Sequence, residues 1–139
     1  SIAFDYVKAN AEKYNIDKSL FDKIDVHIHV PEGAVPKDGP SAGITLTTAI
    51  VSVLTNRKVR SDVAMTGEVT LRGNVLPIGG LKEKSISAHR SGIKTVIIPK
   101  ENSKDLDELP QTILEEIKFI PVTYVDEVLE VALKPNNVS

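Results

Sequence analysis

The segment Pro36-Lys37-Asp38-Gly39-Pro40-Ser41-Ala42-Gly43 constrains this chain more than any other. From Pro31 to Pro40 the sequence holds three prolines and two glycines, so that stretch reads as a loop. Ile44, Leu46, Ile50, Val53 and Leu54 then recur at helical spacing. The chain must turn tightly from a loop into an apolar helix over about 41–54, and Pro40 suits its first turn. Ser41 stands at the junction. A serine there is ordinarily an N-cap. The unpaired N–H groups of a helix start, here those of Ser41 and Ala42, also suit a developing oxyanion, which makes Ser41 a candidate nucleophile.

A serine hydroxyl needs a base, and three kinds of partner are present. His27, His29 and His89 are the histidines. His27-Ile28-His29 also suggests a metal, but no third ligand accompanies the pair. The third kind is a lysine. Gly79-Gly80 breaks the chain before a helix over about 81–90, closed by Gly92 as a left-handed cap. Helical spacing puts Leu81, Lys84, Ser85 and Ala88 on one stripe, so the face that buries Leu81 and Ala88 carries Lys84 inward. A lysine acting as base near neutrality needs its pKa brought from about 10.4 to roughly 7–8, within reach of burial. Thr66-Gly67-Glu68 reads as a turn by default.

The remaining elements follow from periodicity. A helix is expected over 2–14 and a strand over 25–30, with Val26, Ile28 and Val30 on one face and both histidines opposite. Strands are expected at 63–65, 95–98 and 118–122, and a hairpin over 68–78 turning at Arg72-Gly73-Asn74. A short helix capped by Asn102 or Ser103, a closing helix over 125–133 and a frayed tail at 135–137 complete the reading. Strands and helices interleave without a regular βαβ rhythm. The expected fold class is α+β, a mixed sheet with a hairpin, packed by helices. With 139 residues, no repeat and no long linker, a single domain over 1–139 is expected.

Composition excludes several functions. A net charge of −2 and few aromatics argue against nucleic acid and anionic membranes as partners. The absence of cysteine removes thiol and disulfide chemistry and fits a reducing compartment. No apolar run approaches the roughly 18–20 residues of a membrane span. Residue 1 is Ser rather than Met, and a processed piece or excised domain is expected on that account.

The whole set of motifs resembles the proteolytic domain of the Lon family of ATP-dependent serine proteases, bacterial type. The matching runs are His27-Ile28-His29-Val30-Pro31-Glu32-Gly33-Ala34, the Pro36–Gly43 segment, and Ala64-Met65-Thr66-Gly67-Glu68-Val69-Thr70-Leu71-Arg72-Gly73. They continue through Leu76-Pro77-Ile78-Gly79-Gly80-Leu81-Lys82-Glu83-Lys84, Ala88-His89-Arg90-Ser91-Gly92-Ile93-Lys94 and Ile98-Pro99. The resemblance implies a Ser–Lys dyad, Ser41 as nucleophile and Lys84 as general base. It implies that Thr66 helps to hold the lysine, that Asp38 lies in a loop able to rearrange, and that His27 and His29 support the site.

It further implies polypeptide substrates, hexameric rings, a cytoplasmic setting, and an attached AAA+ module that unfolds substrates with ATP and Mg. This chain has no Walker A run, so no cofactor and no metal is expected in it. Family members carry further strands ahead of the first helix here, which implies truncation on the N-terminal side. Three rival readings differ in kind. They are a triad of Ser41 with Asp38 and a histidine, a phosphate-binding module at Gly39–Gly43, and a non-catalytic piece that supports a ring. Against the phosphate module, Pro40 removes a backbone donor and no lysine follows the glycine.

Overall fold

The computed structural model describes residues 1–23 and 43–135. The expected strand at 25–30, the loop at 31–40 and the tail beyond Pro135 lie outside the described residues, as do His27, His29, Asp38, Ser41 and Ala42.

Val96, Ile97 and Ile98 explain the architecture. They form the middle of β4 (Thr95–Pro99), an apolar run of the kind that is buried on both faces of a parallel sheet. Alternation sends Ile97 into one core and Val96 and Ile98 into another. β4 lies between β1 (Val63–Met65) and β5 (Lys118–Val122), paired in parallel with both. The Ile97 core is covered by α1 (Ile2–Ala9), α3 (Gly43–Thr55) and α6 (Val125–Ala132), through residues such as Val7, Ile50, Val51 and Val128. The other core is covered by α4 (Leu81–Arg90), α5 (Gln111–Glu116) and the 3-10 helix Lys100–Glu108, through Leu81, Ile113 and Leu106. A short helix, α2 (Ser19–Lys23), follows α1 and was not expected.

The hairpin stands apart from this sheet. β2 (Glu68–Val69) and β3 (Val75–Leu76) pair antiparallel, and the turn between them is closed by Thr70 N–H to Asn74 O (3.0 Å) and Gly73 N–H to Thr70 O (2.9 Å). The fold is therefore α+β as expected, with parallel and antiparallel pairing divided between a three-stranded and a two-stranded sheet.

Two expectations need correction. The first helix ends at Ala9, where a helix to residue 14 was expected. The Asn10 side chain donates to Tyr6 O (2.8 Å) and competes with the helical ladder, and the chain continues as turns to Asn15, whose φ is +57°. The apolar spacing was real all the same, since Ala11 is fully buried. Tyr14 then bonds to the Tyr6 hydroxyl (2.6 Å) and donates to Asp126 on α6 (2.8 Å), while Lys13 pairs with the same carboxylate. Burial first, then these hydrogen bonds, push the Tyr14 phenol above its ordinary range.

The second correction concerns Asn102, which caps no helix. The helix begins at Lys100, directly after Pro99, is of 3-10 type, and is followed by the separate α5. Asn102 is 3% exposed, and its amide grips the backbone of Ile78, accepting from Ile78 N–H (2.9 Å) and donating to Ile78 O (2.8 Å). A side-chain amide matches a peptide group in both directions, and that buried match is worth more than a cap on an exposed turn.

Candidate active site

The start of α3 is set by the backbone opposite it. Ile44 N–H donates to Gly67 O (3.1 Å), so one of the free donors of the helix start is used to dock it on the Thr66–Glu68 segment. Gly43 is wedged there. A Cβ on it would stand 2.8 Å from Val69 N and 3.0 Å from Glu68 Cα. Thr66-Gly67-Glu68 is thus the abutment for the helix that begins two residues after Ser41. The Thr66 backbone is fixed in turn, its N–H donating to Ile97 O (3.1 Å) at the end of β1. Its side chain is 2% exposed, and Oγ1 has no hydrogen-bond partner among the described residues.

α4 forms over the expected residues. Gly92, with φ +79°, closes it as a Schellman motif. Ile93 N–H reaches back to Ala88 O and Gly92 N–H to His89 O, both at 3.1 Å. The inward stripe is as expected. Leu81 and Ser85 are buried, Lys84 and Ala88 are half-buried, and Lys82 and Glu83 face solvent. Lys84 sits on the first turn, where its N–H donates to Gly80 O (3.1 Å) and its Nζ points to Gly79 O at 3.5 Å. The glycine pair thus serves Lys84 as a pair of carbonyl acceptors.

The Ser85 hydroxyl, on the same face, is 1% exposed and finds no partner among the described residues. Ser85→Ala removes a buried hydroxyl that has no partner among the described residues, and improves helix propensity. A stabilisation of about 1 kcal/mol is expected in chemical denaturation. A loss of that size instead would reveal a hydrogen bond to the hydroxyl.

His89 is placed elsewhere. It lies in the last turn of α4 with Nε2 3.0 Å from the Glu116 carboxylate, at the end of α5. A pocket of about 250 Å³, lined by Lys13, Tyr14, Val51, Arg57, Asp126 and Leu129 among others, includes none of the described candidates Thr66, Lys84 and His89. Among the described residues, no three His, Asp or Glu side chains gather to hold a metal ion, and no helix is long and apolar enough to cross a membrane. Sequence reasoning missed the part played by Asn102 near this site. The Asn102-x-x-Asp105 spacing was the available signal, since the two side chains bond at 2.7 Å.

Comparison with known proteins fits this arrangement. Residues 1–135 match the family model described as the Lon protease (S16) C-terminal proteolytic domain. The chain belongs to this Lon family. It is 61% identical over 137 residues to the Lon protease of Mycoplasma mycoides, covering 99% of this chain. It is 62% identical over 131 residues to that of Chloroflexus aggregans, and 59% identical over 131 residues to Lon protease 1 of Myxococcus xanthus, each covering 94% of this chain. The chain spans 17%, 16% and 16% of the length of these three Lon relatives. The Ser41 and Lys84 motifs both fall inside the match to the Lon proteolytic-domain model.

Proposed function

We propose that this chain is the serine endopeptidase part of a longer ATP-dependent protease, with Ser41 and Lys84 as its catalytic dyad. The observation that carries this reading is the family match over 1–135. The half-buried placement of Lys84 on the inward face of α4 supports it.

In this mechanism the neutral Lys84 amine takes the proton of the Ser41 hydroxyl as Oγ bonds to the scissile carbonyl carbon. The N–H groups of Ser41 and Ala42 hold the resulting oxyanion, each donor worth about 3–4 kcal/mol in comparable sites. Collapse breaks the C–N bond, and the Lys84 ammonium gives its proton to the leaving amine. Water then attacks the acyl ester while Lys84 accepts its proton. The ester C–O bond breaks and Ser41 recovers the proton. The buried Thr66 hydroxyl, which has no hydrogen-bond partner among the described residues, serves to hold the lysine; Asp38 belongs to a loop able to rearrange, and His27 and His29 support the site.

Substrates are unfolded or damaged polypeptides, fed by an AAA+ module that uses ATP and Mg. The subunits form a hexameric ring in the cytoplasm, with no membrane or nucleic-acid partner for this domain.

A fluorophosphonate probe tests the nucleophile. Covalent labelling at Ser41, absent in Ser41→Ala, is the expected result by peptide mass spectrometry. A folded protein that takes no label, or takes it on another serine, would overturn the proposal.

A further inference from the structure

We infer that Asn102 is a positioning residue for Lys84, acting through the backbone turn at Ile78–Gly80; the inference rests on the proposed role of Lys84 as base. The Asn102 amide uses both of its N–H donors and its oxygen. Oδ1 accepts from Ile78 N–H at 2.9 Å, and Nδ2 donates to Ile78 O at 2.8 Å and to Asp105 Oδ2 at 2.7 Å. Gripping the Ile78 carbonyl also orients the plane of the peptide that joins Ile78 to Gly79.

Among the described residues, the other restraint on the residues that follow is the start of α4, which Gly80 caps. Gly79 and Gly80 are exposed, and among the described residues nothing lies within 4 Å of where a Gly79 Cβ would be. Gly79 therefore has wide backbone freedom, and a Cβ on Gly80 would meet only the Glu83 carboxylate, at 3.6 Å, among the described residues. Yet both carbonyls face Lys84, Gly79 O at 3.5 Å from Nζ and Gly80 O at 3.1 Å from the backbone N–H. The anchor for the turn therefore lies 24 residues downstream of Ile78, on the 3-10 helix that leaves the central strand β4. Rigidity passes from the sheet to Asn102, then to the turn, and so to the amine. Holding a reacting group to within a fraction of an ångström is where such a contact affects rate.

The test uses Asn102→Ala in the full-length protease, with active sites counted by fluorophosphonate titration so that unfolded molecules drop out. The expected result is a fall of about tenfold in kcat per labelled Ser41, with KM changed less than about twofold. Asn102→Asp should behave likewise. It keeps an acceptor for Ile78 N–H but turns a second oxygen toward the Ile78 carbonyl and Asp105. A core variant on α5, Ile113→Val or Ile113→Ala, chosen to match the loss of Tm, should keep kcat per labelled site.

Unchanged kcat per labelled site in Asn102→Ala overturns the inference alone, as does an equal fall in the matched Ile113 variant. A folded wild type whose Ser41 takes no probe overturns the proposed function, and this inference with it.

Discussion

Lys84→Ala should lower peptide hydrolysis about a thousandfold while leaving the fold in place. The fold survives because Lys84 is half-buried at the edge of its layer, and α4 is held by Leu81 and by its Schellman closure. On the proposed dyad, activity is lost because the substitution removes the base for the Ser41 hydroxyl. Lys84→Arg should do no better, since a guanidinium keeps its charge at any working pH. Circular dichroism checks the fold, and a fluorogenic peptide assay on the full-length protein checks the rate. A Lys84→Ala protein with near-normal hydrolysis would remove the dyad and return attention to the histidines. His89 is the weakest of these, tied as it is to Glu116.

Gly43→Ala should damage both stability and activity, although alanine is the better helix former. Propensity favours the change by at most about 1 kcal/mol. Against it, the new methyl would meet Val69 N at 2.8 Å and Glu68 Cα at 3.0 Å, and both are backbone atoms of β2 that cannot swing aside. Overpacking of this kind costs about 1–3 kcal/mol, so the steric term wins. The helix must lift from the Thr66–Glu68 segment, weakening the bond from Ile44 N–H to Gly67 O and shifting the residues just before it, Ser41 among them. Tm is expected to fall by about 5 °C. Peptide hydrolysis should fall about a hundredfold, the scale set by a displacement near 1 Å. Unchanged Tm and rate would show that the helix start has room to spare.

What was legible in the sequence follows from where local signals decide. The strand at 63–65 and the one at 118–122 have the expected bounds, as does α4, because apolar period and punctuating Gly and Pro agree there. The membership of Lys84 in a buried stripe was readable for the same reason. Failures came where a polar side chain outbid the local pattern. Asn10 turned back on Tyr6 and ended the first helix early, and Asn102 was spent on Ile78 rather than on its own helix. Neither partner choice is encoded in spacing. The division of the pairing into two sheets was equally hidden, since nothing in Glu68–Leu76 states that β1 will pair with β4 and not with β2. For the site, the residue types around Ser41 and Lys84 carried the chemistry. The role of Thr66-Gly67-Glu68 as a seat for α3 needed three dimensions.

The central strand has one more consequence, which concerns timing. The helix after Ser41 belongs to the Ile97 side of β4, and the helix bearing Lys84 to the Val96 and Ile98 side. A polypeptide emerging from the ribosome and made only as far as Lys84 already owns both members of the proposed dyad. It lacks the strand that brings their two layers into one body. Synthesis must proceed past Pro99 before the frame can close.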